Sequence, residues 1–319
     1  VEADPASITV GGTSTLKTRL NFNAADTAVS YAASPDGKVT IDGNTVTGVA
    51  RGTVTITATA AGSSKTTTLT VTGGTAGNWV YVDSHSGQIQ YTGNWVDETS
   101  TNHYEGSAKE ANDAPGATAS LTFTGTGFRW IGQMDSNYGR AWIYVDDVLV
   151  AIGNANSSTN PYQFTILELH GLENKQHTVR LEAESNAPVQ VDAFAYYTGT
   201  DLDETVSSVA LEPSGLIRLG DGESKRVLAM AMNAERVVVF RDDFRFTLEN
   251  DKIAALSGDG KTQKTVTGKM AGRTRLHVTL PELNDKSATA EIVVTSTEPA
   301  TTPRMLVDAE HPLLLVSLY

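Results

Sequence analysis

The feature that most constrains this chain is a period-two alternation in short runs rich in Thr and Val, with no helical run of useful length. Ser7-Ile8-Thr9-Val10, Thr15-Leu16-Lys17-Thr18-Arg19-Leu20, Val39-Thr40-Ile41, Thr45-Val46-Thr47 and the runs 53–58 and 66–71 carry it. Neighbouring residues of a strand point to opposite faces, so such runs form half-buried strands. Gly11-Gly12, Pro35-Asp36-Gly37 and Asp42-Gly43-Asn44 separate them as turns. Residues 1–73 therefore predict a β-sandwich of about seven short strands.

At 319 residues the chain is long enough for two or three domains. No apolar run approaches the ~18 residues of a membrane helix, so no membrane span is expected. There is no cysteine, which suits an exported bacterial protein better than a disulfide-stapled animal one. The first residue is Val1 rather than Met, as removal of an export signal or a trimmed chain would leave it. A net charge of −13 argues against nucleic acid or an anionic membrane as partner.

Charge and aromatic residues both concentrate in the middle. Residues 77–200 hold five basic and fourteen acidic side chains, whereas 1–73 balance at five each and 201–296 hold thirteen basic and fifteen acidic. All four tryptophans and eight of the ten tyrosines also fall between 77 and 200. Recognition is expected in this acidic, aromatic-rich stretch, although a larger jelly roll also needs bulkier core filling.

The run from Val39 to Ala58 resembles the group 2 bacterial Ig-like domains. Its V-x-G-V-x-x-G-x-x-x-I-x-A spacing is met by Val46, Gly48, Val49, Gly52, Ile56 and Ala58, with the opening strand shortened. A diverged second copy follows at 205–295, where Val266-Thr-Gly268 and Gly272 repeat the spacing. The resemblance implies two sandwiches that space and display, without catalysis.

Between them, strands are predicted at 87–95, 117–124, 128–133, 139–146, 148–153, 162–169, 175–182 and 188–197. Eight antiparallel strands suggest a jelly roll. The runs 117–132, 139–147, 177–181 and 189–194, with Tyr91-Thr-Gly-Asn-Trp95 before them, resemble the galactose-binding-like modules appended to bacterial polysaccharide-degrading enzymes. That resemblance implies a carbohydrate-binding module. The expected architecture is all-β: an Ig-like sandwich (1–73), a jelly roll (77–199), a second Ig-like sandwich (203–296), then 297–319. This last stretch reads as a Thr/Pro/Glu connector (296–303) followed by an apolar run (312–319). A lone strand needs a partner, so the run either packs on one of the three domains or, as preferred here, opens a further domain.

Strand parity locates the site. One end of the jelly roll receives tight turns at 125–127, 146–147 and 171–176. The other receives longer loops, 96–116, 134–138, 153–161 and 183–187. These carry Asn102, His103, Tyr104, Asp135, Asn137, Tyr138, Asn154, Asn156, Asn160, Glu184 and Asn186, with Trp95, Arg140 and Tyr162 at adjoining strand ends. An aromatic face against sugar C–H groups, with amides and carboxylates for the hydroxyls, is suitable chemistry. Asn and Asp are also ordinary turn residues, whereas Tyr104 and Tyr138 in polar loops have no core to fill. Trp130 and Trp142 alternate within strands and are expected in the core. The same family resemblance implies a structural calcium ion, for which Asp83 and Asp192 are the counterparts here. The family's acidic pair near the first strand is absent, and neither Asp83 nor Asp192 lies in a dense oxygen-ligand motif.

No G-x-S-x-G, H-E-x-x-H or phosphate loop occurs. The adjacent carboxylates Asp146-Asp147 and Asp242-Asp243 would diverge in a strand and make poor acid/base partners. The expected role is the non-catalytic carbohydrate-binding and spacer region of a secreted or surface-bound bacterial polysaccharide-degrading enzyme. Its partner is a polysaccharide or oligosaccharide, with a possible catalytic domain in the same polypeptide. The alternatives are a cell-surface adhesin or S-layer-associated protein, or structural packing with no ligand.

Overall fold

The computed structural model describes residues 1–20, 28–35, 37–49 and 51–296. The connector and apolar run expected over 297–319 lie outside the described residues. Within them the chain is all-β, its one helical element being a short 3-10 turn, Tyr104–Gly106. No helix is long and apolar enough to cross a membrane.

The N-terminal residues form two four-stranded sheets. One runs Glu2–Asp4, Thr13–Lys17, Thr45–Gly48, Val39–Asp42; the other Ser7–Thr9, Ser63–Thr72, Gly52–Ala60, Ser30–Ser34. The opening segment is thus complete enough to give one short strand to each sheet. The alternation does its expected work: Val46, Val54, Ile56 and Leu69 are fully buried between the sheets while the intervening threonines face water. The strand expected to reach Leu20 stops at Lys17, and Leu20 is exposed.

The C-terminal residues repeat this plan. Ser7–Thr9 runs parallel to Ser63–Thr72, and Leu216–Gly220 runs parallel to Leu283–Thr295. The repeated V-T-G-x-x-x-G spacing has a physical cause. A Cβ on Gly48 would lie 2.7 Å from the carbonyl oxygen of Thr9 and 2.9 Å from Val71 Cγ1. On Gly268 it would lie 2.4 Å from the carbonyl of Gly220 and 3.0 Å from Val294 Cγ1. The second glycine of each pair, Gly52 or Gly272, adopts positive φ (142° and 157°) as the next strand begins.

Two long strands, Thr118–Gly132 and Phe164–Ala183, pair along most of their length and organise the middle of the chain. Each was expected as two strands joined by a turn. Instead Gly125–Gly127 continues the strand, and the partner strand bulges out between His170 and Lys175 to absorb the mismatch. Trp79–Asp83, Ile89–Thr92, Arg140–Val145, Val148–Asn154 and Ala193–Tyr197 extend this sheet. A small sheet of Val96–Thr99, Ser107–Ala111 and Val189–Val191 lies beside it. The core is built on Trp130, Phe128, Phe194, Ile143, Leu169 and Leu181, all fully buried. Trp142 was expected there but faces outward, half-buried, with the Arg226 guanidinium 5.1 Å from its ring.

The sheet does not stop at the jelly roll. Leu169 and His170 pair in parallel with Val238 and Val239, and the Phe240 N–H donates to the His170 carbonyl at 2.8 Å. The bulge and the Asp146-Asp147 turn face the flanking sandwiches across a cleft that also holds Lys38 and Arg241. Lys38 there forms an ion pair with Glu204, both nearly buried. Burial pushes the Lys38 ammonium down to about 8, with the Arg241 charge adding to the effect.

Ala at Gly48 or Gly268 forces a methyl group against backbone that cannot retreat cheaply. Each substitution should cost about 1–3 kcal/mol, read as a lower denaturant midpoint. Gly87→Ala, where nothing lies within 4 Å, should leave the midpoint in place.

Candidate functional site

The loops at the end of the jelly roll remote from the bulge interlock through their backbones. The Met134 N–H donates to the Pro161 carbonyl, Asp135 N–H to Ala155, Gly139 N–H to Pro188 and Asp113 N–H to Asn186. Gln163 Nε2 adds a bond of 2.9 Å to the Asn102 carbonyl. The structure thus gathers most of the residues singled out above at one end, but gives them different duties.

Several serve the loops themselves. Asp135 Oδ1 accepts the Asn137 N–H at 2.9 Å, and Asn154 Oδ1 accepts the Asn156 N–H at 3.0 Å, both turn-closing bonds. Trp95 packs edge-on against Tyr91 with 5.0 Å between ring centroids and donates its indole N–H to the Thr92 carbonyl. Arg140 grips Glu184 with Nε and Nη2 at 2.6 and 2.8 Å and reaches Glu212 with Nη1. Its guanidinium is thereby a clamp between the jelly roll and the C-terminal sandwich.

The aromatic residues divide in two. Tyr104 lies over Ile131, Ala193 and Ala195 and stacks on Tyr81, centroids 5.7 Å apart and planes 27° from parallel. Tyr162 and Phe164 are exposed, and Tyr162 meets the His103 ring edge-on at 5.4 Å. His103 itself, expected as a loop histidine, is buried. Tyr81, 44% exposed on the edge strand, was missed in the sequence; the Trp79-Val80-Tyr81 run carries it, but alternation alone does not say which face stays open.

Tyr138 leads into a polar cluster that also escaped the sequence reading. Its hydroxyl donates to Glu110 Oε2 at 2.8 Å. Gln190, fully buried, donates from Nε2 to Glu98 Oε2 at 2.6 Å and accepts the Gln133 N–H at 3.0 Å. Glu110 and Gln190 are direct cross-strand partners, while Glu98 opposes Ala108 in the neighbouring pair. Alternation therefore puts Glu98, Glu110 and Gln190 on one face. The stretch 96–116 was expected to be a loop, and that hid the arrangement. It is a hairpin, Val96–Thr99 and Ser107–Ala111, closed by the Tyr104–Gly106 turn. Burial pushes the Glu110 carboxyl up, opposed by the Tyr138 hydrogen bond and reinforced by the Glu98 charge.

Asp83 and Asp192 meet at the edge of the same region. Asp83 Oδ1 accepts the His85 N–H and Asp192 Oδ1 accepts the Tyr104 N–H, each at 2.8 Å. Their second oxygens, Asp83 Oδ2 and Asp192 Oδ2, are buried without a hydrogen-bond partner, as is His103 Nδ1. Burial, with the Asp83 charge adding to it, pushes the Asp192 carboxyl up to about 6. Two orphaned hard oxygens suit a calcium ion. Among the described residues, however, no group of three or more His, Asp or Glu side chains could hold a metal, so backbone carbonyls would have to complete the shell.

No protein-family model matches this chain. Part of it is similar to two enzymes of Flavonifractor plautii. It is 36% identical over 118 residues to A type blood N-acetyl-alpha-D-galactosamine deacetylase, covering 37% of this chain and 15% of that enzyme. It is 34% identical over 119 residues to A type blood alpha-D-galactosamine galactosaminidase, covering 37% and 11%. The matched region thus spans a small fraction of either relative's length. Among solved structures, a family two carbohydrate esterase from Cellvibrio japonicus matches at TM-score 0.28 and 13% identity, over 46% of this chain and 40% of its own. A Bacteroides ovatus glucan-utilisation protein in complex with a mixed-linkage heptasaccharide matches at TM-score 0.23 and 11% identity, over 91% and 65%.

The raised Glu110 carboxyl has a stability consequence. Its folded-state protonation sets in at higher pH than in the unfolded chain. Its contribution is therefore full below the unfolded carboxylate range of about 4.3 and is lost as pH rises through the folded value. Glu110→Gln should flatten the melting-temperature profile on that acid limb, measured by calorimetry from pH 4 to 8.

Proposed function

We propose that this chain is a non-catalytic carbohydrate-binding and spacer region of a secreted bacterial polysaccharide-degrading enzyme, with the jelly roll as its binding element. The observation that carries this reading is the asymmetry of the jelly roll. One end faces the flanking sandwiches, through the Leu169–Val238 pairing and the cleft that Lys38, Glu173 and Arg241 line together. The other presents Tyr104, Tyr138 and Tyr162 beside glutamate and glutamine side chains, the mixture of ring faces and hydrogen-bonding groups that sugars require.

The partial relatives support the same reading. A deacetylase and a galactosaminidase perform different reactions, yet each shares with this chain a stretch about as long as residues 77–199. A match this short in relatives of different chemistry, covering 15% of one and 11% of the other, is better suited to targeting than to catalysis. Residues 1–73 and 203–296 then set reach and orientation, and a catalytic domain belongs elsewhere in the full polypeptide. An adhesin or S-layer role would instead be marked by further repeats or a wall anchor beyond residue 319.

Retention of the chain on polysaccharide affinity gels and glycan arrays tests the binding role. Tyr104→Ala and Tyr162→Ala should each weaken retention by about tenfold, the loss of roughly one ring–sugar contact. Wild-type protein retained by no glycan would sink the proposal, and unchanged retention in both variants would move the site elsewhere.

We further propose that a calcium ion relieves the orphaned oxygens of Asp83 and Asp192, locking the edge strand Trp79–Asp83 to the Asp192 segment. Calcium added to chelator-treated protein should raise its melting temperature, and Asp192→Asn should abolish the rise. An unchanged melting temperature at millimolar calcium would refute the site.

A further inference from the structure

The five basic residues of the jelly roll are all committed. Lys109 pairs with Asp97, Arg129 with Glu168, Arg140 with Glu184 and Glu212, Lys175 with Glu173 and Arg180 with Glu182. None is left for Glu98 or Glu110. Gln190 and the Tyr138 hydroxyl bridge the two: Gln190 Nε2 donates to Glu98 Oε2 at 2.6 Å, the Tyr138 hydroxyl donates to Glu110 Oε2 at 2.8 Å, and Gln190 Nε2 lies 3.4 Å from the Tyr138 hydroxyl. The one basic ring nearby, His103, is 5% exposed, 3.7 Å from Glu98 and 3.8 Å from Asp192. Burial holds it toward the neutral form, and its Nδ1 has no hydrogen-bond partner. The cluster is therefore short of positive charge, and the lysines and arginines of the jelly roll supply none.

Resting on the carbohydrate-binding reading above, we propose that Glu98 and Glu110 recognise the protonated amino group of a de-N-acetylated hexosamine. An ammonium offers three N–H donors and one positive charge, matching two carboxylates that no protein cation neutralises. The Glu98 side chain is 34% exposed, so a ligand reaches the cluster without opening the core. Tyr162, exposed against the buried His103 ring, offers a face for the sugar's C–H groups. An N-acetyl group in the same place brings one amide N–H and a carbonyl oxygen, and that oxygen meets carboxylates that can only repel it.

The test uses the whole 319-residue chain in calcium-containing buffer at 0.15 M salt. Oligosaccharides of glucosamine and of galactosamine are titrated calorimetrically, each in free-amine and N-acetylated form. At least one free-amine oligosaccharide should bind about tenfold or more tightly than its N-acetylated counterpart. Glu98→Gln, at the partly exposed position, and the Glu98→Gln/Glu110→Gln double variant should erase that preference while still folding, shown by a cooperative melting transition. Asp147→Asn, at the other end of the jelly roll, should leave it intact. Equal or tighter binding of the N-acetylated forms overturns the amino-sugar assignment and leaves carbohydrate binding standing, as does binding of other glycans only. A free-amine preference that survives in the double variant also overturns it, tracing the effect to the chain's overall negative charge. Binding of no glycan at all brings down both readings.

Discussion

The backbone pairing of Thr118–Gly132 with Phe164–Ala183 is the constraint on which the rest of this structure depends. Every N–H and C=O along two strands buried in the sheet must find a partner; the pair satisfies those on its facing edges from Thr118–Glu182 to Gly132–Phe164, and Ile89–Thr92, Ala193–Tyr197 and Arg140–Val145 take groups on the outer edges. Because the pairing continues on both sides of Gly125–Gly127 and the bulge, one ladder ties the bulge end to the loop end twice over. The Gly132–Phe164 and Thr118–Glu182 terminations open into the interlocked loops. The bulge in between projects toward the flanking domains. Removing the bulge would shift the register and move one half of the sheet's side chains to the wrong face.

That same strand continues the sheet into the C-terminal sandwich, so domain docking is written into backbone pairing as well as side-chain contact. Around this seam stand Lys38, Glu204 and Arg241. Arg241 donates from Nη1 to the Phe240 carbonyl at 2.6 Å and from Nη2 to the Glu204 carbonyl at 3.3 Å. Burial lowers the pKa of both Lys38 and Arg241, and the Lys38 and Glu204 side chains are nearly buried. A desolvated ion pair gives little net stability against an apolar contact, but breaking it by removing one partner is costly. Its contribution here is to fix which face of the N-terminal sandwich meets the seam.

Much of this was legible in the sequence where local chemistry and packing agree. The Thr/Val alternation marks the sandwiches, and the V-T-G-x-x-x-G repeat is legible because a missing Cβ is demanded at both Gly48 and Gly268. The site was legible only as a region. Tyr104 and Tyr138 stood out as aromatics in polar surroundings, but Asp135 and Asn154 proved to close turns, and Arg140 had its partner Glu212 seventy-two positions away. Such pairings depend on how domains dock, which no local pattern encodes. Glu98, Glu110 and Gln190 were hidden for another reason. The 96–116 stretch holds few β-branched residues and a polar centre, so it read as loop, and the periodicity that puts the three on one face went unapplied.

In the sequence the negative charge of the middle region bears on which partners it would repel. The structure distributes it unevenly. Lys109, Arg129, Arg140, Lys175 and Arg180 each answer a carboxylate of the middle region, and these pairs act locally. Asp83, Glu98, Glu110 and Asp192, which none of them answers, gather where the hairpin 96–111 meets the strands beside Asp83 and Asp192, next to the exposed Tyr162 ring. Burial makes uncompensated charge expensive, so such a cluster persists at a stability cost that surface residues would not carry. A module that needed only solubility could have placed those acids in its exposed turns. Concentrating them instead beside Tyr138 and His103 is the arrangement expected where the compensating positive charge arrives with a ligand.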